Sequence, residues 1–219
     1  MKRIGHRGAK GHEPENTIIS FQKAIDLNVD GIELDVHLSS DGQIMVIHDE
    51  TIDRTSNRKG FVKNFTSSQL KKLEIPTLTE VLHLVSRSCF VNIELKGIGT
   101  AKPVVELISH YILEKNWKDT DFLVSSFDWK MLEEVQLLNT KIRIGVLTEG
   151  SVDKALVFAK KIKAHSIHPD YRLLTKENVA LMQENGFEVY PWTLNSFEDI
   201  QTIKSFHVNG IISDFPERI

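Results

Sequence analysis

Eight short runs rich in apolar and β-branched residues recur along the chain, with stretches of helical period between them. The runs are KRIGH 2–6, GIELDV 31–36, CFVNIEL 89–95, DFLVSSF 121–127, KIRIGVL 141–147, HSIHP 165–169, FEVYPWT 187–193 and NGIISD 209–214. Among the helical stretches, Ile18, Phe21 and Ile25 form one apolar stripe, and Val104, Ile108, Tyr111 and Ile112 another. Leu132, Val135 and Leu138 follow, then Val152, Ala155, Leu156 and Ala159, then Ile200, Ile203 and Phe206. Thr77 with Glu80, and Ser196 with Asp199, have the spacing of helix capping boxes. Eight strands, each but the last followed by a helix, are best satisfied by a parallel sheet covered by its helices. The alternation therefore predicts an α/β fold, a (β/α)8 TIM barrel, with an open doubly wound sheet as the alternative. The chain has 219 residues, enough for a compact barrel, and no linker or repeat suggests a second domain, so residues 1–219 are read as one.

One interval is too long for a single helix. Residues 37–88 separate the second and third runs, and within them SSDG 39–42 signals a turn followed by the strand-like QIMVIHD. Residues 33–48 are therefore predicted to form a hairpin. The second strand would rise past the barrel rim, turn at Asp41-Gly42 and return, carrying His48 back to the level of Glu33 and Asp35. Residues 49–66 are mostly polar and read as a small cover above the barrel, the whole departure from the barrel rhythm spanning about 37–75.

Side chains alternate between the two faces of a strand. In GIELDV, Ile32, Leu34 and Val36 share one face, and Glu33 and Asp35 the other; in VNIELK, Asn92, Glu94 and Lys96 oppose Val91, Ile93 and Leu95. If the apolar faces meet the helices, three carboxylates point into the barrel, where unpaired charge costs several kcal/mol or is lost by protonation. A structural ion-pair network with Arg7 and Lys96 would satisfy one such group. Three, beside two histidines, call for a hard divalent cation, Mg2+ or Ca2+, held by Glu33, Asp35 and Glu94; zinc would favour histidine or cysteine. IGHRG 4–8 ends the first strand at the same rim. Gly5 and Gly8 would allow a sharp turn, and His6, His48, Arg7 and Lys96 would face the cation. A metal, a guanidinium, an ammonium and two imidazoles form an anion site that can also move protons, which points to phosphoester chemistry.

The net charge of −3 gives no electrostatic reason for a nucleic-acid partner, and 41 % hydrophobic residues suit a soluble globular protein. No apolar run approaches the roughly 20 residues that span a bilayer, and MKRIGHRG leaves no room for an apolar signal region, so no membrane insertion is expected. Cys89, the only cysteine, lies in an apolar run and reads as a buried thiol. The cytoplasm fits, although a mature secreted protein would look similar. A homo-oligomer is compatible with the sequence, which does not fix the oligomeric state.

HRG 6–8, PENT 14–17 with Phe21 and Ala24, DGIELDVHLSSDGQIMVIHD 30–49, IELK 93–96, WTLN 192–195 and GIISDFP 210–216 resemble, in order and over nearly the whole chain, the glycerophosphodiester phosphodiesterase family in its compact bacterial type. The resemblance implies a TIM barrel, a divalent cation, and hydrolysis of glycerophosphodiesters to sn-glycerol 3-phosphate and an alcohol. Residue by residue it matches His6 and His48 to the acid–base pair, Glu33, Asp35 and Glu94 to the metal ligands, and Arg7 and Lys96 to the phosphate-side cations. Trp192, at the end of the seventh run, is either a core residue or a rim contact for the glycerol or alcohol. Asp214 would orient Arg7 or a histidine, the role of Glu15 stays open, and Asn16 is read as a helix N-cap. His12 and His168 are weaker site candidates, His37 a rim residue, and His83, His110 and His207 surface or packing residues. Two other functions compete: a lysophospholipase D acting on lysophospholipids, and a catalytically silent binding protein. The cover offers only Ile52, Phe61, Val62 and Phe65 as apolar groups, which favours a soluble substrate over a lipid. The intact set of acidic, basic and imidazole groups argues against a silent barrel.

Overall fold

Strand β1 (Lys2–Gly5) leads through a sharp turn to helix α1 (Ile18–Asp26) and to β2 (Gly31–Leu38), which pairs in parallel with β1. The chain is described here by a computed structural model covering residues 1–219. Strand β3 (Ile44–Val46) returns antiparallel along β2, with Val36 opposite Val46 and Leu38 opposite Ile44. Helices α2 (Ser67–Lys71) and α3 (Leu78–Val85) follow. Then strand and helix alternate: β4 (Phe90–Leu95), α4 (Ala101–Glu114), β5 (Phe122–Ser126), α5 (Trp129–Leu138), β6 (Ile144–Thr148), α6 (Val152–Ile162), β7 (Ser166–Pro169), α7 (Lys176–Glu184), β8 (Glu188–Val189), α8 (Phe197–Lys204) and β9 (Gly210–Ser213).

Apart from β3, the strands are parallel neighbours in the order β1, β2, β4, β5, β6, β7, β8, and β9 pairs with β1. The last seam is closed by single backbone bonds, Asn209 N to Val189 O at 3.1 Å and Ile212 N to Pro191 O at 2.9 Å. The result is an eight-stranded, nearly closed TIM barrel, as the alternation predicts. The run 187–193 is regular strand only at Glu188–Val189. Pro191 has no N–H to extend a ladder, and the segment continues through isolated contacts such as the bridge between Asp170 and Trp192. Helix α7 escaped the stripe reading because it buries only Val179 and Met182.

The outward faces of the strands meet the helices. Ile32, Leu34, Val36, Val91, Ile93 and Leu95 are at most 1 % exposed and belong to one continuous core with Phe21, Leu82 and Val104. Each such side chain contributes roughly 1.5–3 kcal/mol on burial. Inside the barrel, Ile4, Leu123, Tyr190 and Ile212 form a separate apolar plug. The segment after β3 has a core of its own, built from Met45, Ile47, Ile52, Val62, Leu70 and Ile75 with Phe65 packed against it. Ile52 and Val62, which the sequence offers as apolar groups on a polar cover, are therefore buried, and of the four only Phe61 is counted among the exposed large apolar side chains.

The caps divide. Thr77 and Glu80 form a complete capping box on α3. Ser196 accepts from Asp199 N at 3.1 Å, but the Asp199 carboxylate accepts from the Ser196 hydroxyl at 2.7 Å and not from the cap backbone, so the box is incomplete. Asn16 is not the cap of α1: Thr17 is, accepting from Ser20 N at 3.3 Å.

Candidate active site

The polar ends of the strands converge at the C-terminal mouth of the barrel, the end at which barrel enzymes build their sites. Glu33 and Asp35 lie on β2 and Glu94 on the adjacent β4, with Glu33 level with Asn92 and Asp35 level with Glu94. All three are buried, and one oxygen of each lies within 4.8 Å of the others. His6 and Arg7 follow β1 directly. Arg7 adopts a left-handed backbone (φ 51°) and Gly8 follows at φ 87°. A Cβ on Gly8 would lie 2.4 Å from the Ser20 hydroxyl, so the turn requires glycine there. The turn aims the Arg7 backbone N–H at Glu33 Oε2, 2.9 Å away. Ile47 N donates to Asp35 O, so the hairpin delivers His48 beside the acidic pair, as the turn at Asp41-Gly42 predicts.

His6, Arg7, Glu33, His48, Glu94, Lys96 and Trp192 line one cleft of about 270 Å3. Both histidines are held by carboxylates. His6 Nδ1 lies 2.6 Å from Asp214 Oδ1, and Asn195 Nδ2 fixes the other oxygen of Asp214 at 2.8 Å. His48 Nδ1 lies 2.6 Å from Asp49 Oδ1. In each case an Nδ1–H donated to the carboxylate leaves Nε2 free for the cleft. Burial pushes both imidazoles below their ordinary value, despite the neighbouring carboxylates. The cations are shared. Lys96 Nζ lies 2.6 Å from Glu94 Oε1 and 3.6 Å from Asp35 Oδ1, and those carboxylates outweigh burial and hold its ammonium above the ordinary lysine value. Arg7 donates to Glu15 Oε1 at 2.7 Å, with its Nε 3.3 Å from Asp35 Oδ2. Glu15 thus has a place, pairing with Arg7.

The acidic cluster remains short of positive charge. Burial and mutual repulsion drive Glu33 well above the usual carboxylate range and Glu94 to about 7. Glu33 Oε1 and Asp35 Oδ1 are buried acceptors without a donor. An all-oxygen set with unsatisfied buried oxygens fits a hard divalent cation, and these three residues could hold one.

Several contributors escaped the sequence reading. Asn16 is 4 % exposed and donates to Asp35 Oδ2 at 2.8 Å. Asp49 stands next to His48 in sequence, at the head of a polar loop whose composition does not set this carboxylate apart. Phe127 meets Trp192 edge-on at 5.4 Å, and Trp192 Nε1 donates to His168 O, so Trp192 lines the cleft while packing, half-buried, against the apolar plug of the barrel. His168 itself is not at the rim. It is fully buried inside the barrel, its ring seated where a Cβ on Gly145 would be 2.5 Å away, with Nε2 2.8 Å from the Ser166 hydroxyl. Burial pushes its pKa down to about 3, so it is neutral. His12 pairs with Glu217 at 3.0 Å and does not line the cleft. His37 accepts no substrate-facing place either: it is buried, with Nε2 3.0 Å from His48 O. His83, His110 and His207 are exposed, His207 in a turn beyond α8.

A parallel barrel whose mouth gathers buried carboxylates, shared cations and two carboxylate-backed imidazoles defines a TIM-barrel hydrolase site for an anionic ester. Residues 6–218 match the model of the glycerophosphoryl diester phosphodiesterase family, and the chain belongs to that family. It is an enzyme of that class, a phosphoric diester hydrolase. It is 39 % identical over 99 % of its length, and 95 % of the relative's, to a glycerophosphodiester phosphodiesterase of Caldanaerobacter subterraneus. A glycerophosphodiester phosphodiesterase of known structure from Thermotoga maritima superposes with TM-score 0.86 at 32 % identity, covering 99 % of this chain and 96 % of that one. A phosphodiesterase from Oleispira antarctica, solved in complex with its product sn-glycerol-3-phosphate, shares the fold with TM-score 0.89 at 24 % identity, over 100 % and 95 % of the two chains. No helix is long and apolar enough to cross a membrane.

Proposed function

We propose that the enzyme hydrolyses glycerophosphodiesters of small polar alcohols to sn-glycerol 3-phosphate and the alcohol, using one divalent cation, Mg2+ or Ca2+, held by Glu33, Asp35 and Glu94. The observation that carries the reading is the pair of histidines, each tied through Nδ1 to its own carboxylate and each presenting Nε2 to the cleft that contains the acidic cluster. The product bound by the Oleispira phosphodiesterase accords with it. The cation, when bound, supplies positive charge to a phosphoryl group and offsets charge that develops there.

His6 and His48 act as general base and general acid. Displacement at phosphorus sets the attacking and leaving oxygens roughly in line, and two imidazoles from different elements can serve the two ends. One Nε2 takes the proton of the attacking hydroxyl, and the other gives a proton to the departing alcohol oxygen. The depressed pKa values favour the neutral, basic form, while Asp214 and Asp49 support the charged form that each imidazole must reach in turn. The attacking group is either the glycerol hydroxyl vicinal to the ester, giving a cyclic phosphate that water then opens, or water directly; phosphorus NMR of the reaction distinguishes them. Arg7 and Lys96 orient the phosphate oxygens, and Trp192 offers a flat apolar wall to the organic part of the substrate. Of the apolar groups on the cover, Ile52 and Val62 are buried and only Phe61 stands among the exposed large side chains, so a lysophospholipid is expected to be the poorer substrate. Residues 1–219 are taken to act as one catalytic domain, in a reducing compartment such as the cytoplasm that suits a lone thiol.

The test is turnover of glycerophosphocholine with a glycerol 3-phosphate readout, alongside a lysophospholipid, with and without Mg2+ or Ca2+. His6→Ala and His48→Ala are each expected to lose activity, by up to about 10²–10⁴-fold, and the variant lacking the acid should suffer far less on a nitrophenyl ester. Near wild-type turnover by either variant, or a higher kcat/KM on the lysophospholipid, would overturn the corresponding part. Glu33→Gln and Asp35→Asn should weaken metal binding by calorimetry; unchanged affinity in both would remove the metal assignment.

A further inference from the structure

Arg54 stands on the segment after β3, outside the residues that line the cleft. Its guanidinium nevertheless engages two carboxylates with all three nitrogens. Nε donates to Asp49 Oδ2 at 2.7 Å and Nη2 to Asp49 Oδ1 at 3.1 Å. Nη1 donates to Glu15 Oε2 at 2.9 Å and Nη2 also to Glu15 Oε1 at 2.7 Å. Each carboxylate is in turn bound to a side chain of the cleft: Asp49 Oδ1 to His48 Nδ1 at 2.6 Å, and Glu15 Oε1 to Arg7 Nη1 at 2.7 Å. We propose that Arg54 is a positioning residue that clamps His48 through Asp49 and Arg7 through Glu15 in one rigid fork. The inference rests on the acid–base reading of His48 and the phosphate-side reading of Arg7.

An exposed ion pair usually does little, because two long side chains must be ordered in water for a small Coulomb gain. Three features set this one apart. The fork is bidentate on both carboxylates, a geometry only arginine offers. The Glu15 side chain is 9 % exposed, so it sits in a setting where its partners matter. Arg54 is also anchored from behind, since Ile52, two residues earlier, is fully buried in the small core of the segment.

The two arms do different things. Asp49 follows His48 in sequence and its side chain is 27 % exposed, so without a partner on Oδ2 it could rotate away and release the imidazole. Arg54 removes that freedom. On the other arm, without Arg54 Glu15 would be left to Arg7 and to Lys10, whose Nζ lies 3.8 Å from Oε2, and would offset more of the guanidinium charge that an anionic substrate needs. With Arg54 on both of its oxygens, Glu15 is shared, and Arg7 keeps net positive charge while still being oriented. Loss of Arg54 should therefore act on turnover through His48 and on substrate affinity through Arg7. The polar segment is then part of the catalytic machinery and not merely a cover.

Arg54→Gln, Asp49→Asn and the double variant separate the arms, measured on glycerophosphocholine at saturating metal with the melting temperature recorded. R54Q is expected to lower kcat by about tenfold or more, the scale of losing a carboxylate that orients a histidine, and to raise KM. In the D49N background R54Q should leave kcat where D49N put it, because that arm is already cut, and should still raise KM. Wild-type kcat and KM in R54Q, or kcat losses that multiply in the double variant, would overturn the clamp. NMR of the hydrogen-bonded Nδ1 proton of His48 reads the same arm without turnover: the signal should weaken in R54Q, and an unchanged signal would contradict the proposal. If R54Q does not fold, R54K carries the test, since an ammonium cannot engage both oxygens of both carboxylates; wild-type kinetics in R54K would overturn the clamp. His48→Ala under the same assay keeps the two readings apart. Full activity there would defeat the acid–base role, whereas a dead H48A beside a wild-type-like R54Q would defeat the clamp alone.

Discussion

Asn16 and Thr17 are both residue types that cap helices, and adjacent in sequence they cannot be told apart by type. The backbone separates them. Thr17 is extended and caps α1, while Asn16 sits at φ 58° with its amide turned inward to Asp35 Oδ2. A hydrogen bond to a buried carboxylate contributes about 1.5–3 kcal/mol, and here it also fixes which way a proposed metal ligand faces. Asn16→Ala should therefore weaken Mg2+ or Ca2+ binding in calorimetry while the far-ultraviolet circular dichroism stays unchanged; unaltered affinity would show that Asp35 needs no such support. Cys89 behaves as its apolar run predicts. It is buried, and burial pushes its thiol up to about 12, so almost none is thiolate near neutral pH. Labelling by a disulfide reagent should be slow in the native protein and become fast on unfolding in urea; rapid native labelling would place the thiol elsewhere.

Elements formed where local and tertiary preferences agree. Thr77 and Glu80 meet across the first turn of α3, and that helix buries Leu78, Val81, Leu82 and Val85 in the main core. Thr77→Ala removes one half of the box and should cost about 1 kcal/mol in urea denaturation, leaving kcat unchanged because Thr77 does not line the cleft. Elements are hidden where the chain carries little periodic signal. The thin apolar stripe of α7 hides a full helix, and Pro191 cuts a convincing β-run down to a two-residue strand. The hairpin of β2 and β3 was legible because a turn signal lies between two alternating runs.

The whole molecule concentrates negative charge at the barrel mouth, and this makes its stability depend on pH and metal together. In EDTA, Glu33 and Glu94 are raised in the folded state, Glu94 to about 7 from an ordinary 4.5. Between those values the folded protein holds protons that the unfolded chain has released, so their contribution to stability should fall as pH rises from about 4.5 to about 7. Glu15 and Asp214 work in the opposite sense. Burial alone would raise them, but Arg54 and Arg7 hold Glu15 at about 2, and the His6 bond holds Asp214 low, so their contribution is lost as pH falls below the ordinary carboxylate range. The buried histidines His6, His48 and His168 are held below their ordinary value and act against Glu33 and Glu94 across the same window, so the cost of the acidic cluster shows by difference: relative to Glu94→Gln, the wild-type melting temperature in EDTA should decline as the pH rises toward 7. Saturating Mg2+ or Ca2+ should restore it, by about 2.7 kcal/mol at a hundred times Kd. A melting temperature indifferent to the metal at pH 7 would contradict the acidic cluster as its site.

From the amino-acid sequence alone came the barrel, the faces of its strands, the hairpin that returns His48 and the three inward carboxylates. These depend on period and alternation, which are local and survive in a one-dimensional string. What each polar group is bound to was decided only by the tertiary structure. His6 meets Asp214 across 208 positions, and Glu15 meets Arg54 across 39, because the barrel closes β9 onto β1 and the hairpin folds its segment over the mouth. Hydrogen bonds and ion pairs reach about 3 Å and have no period. Their partners are fixed by where the fold brings side chains together, and spacing along the chain carries no record of it.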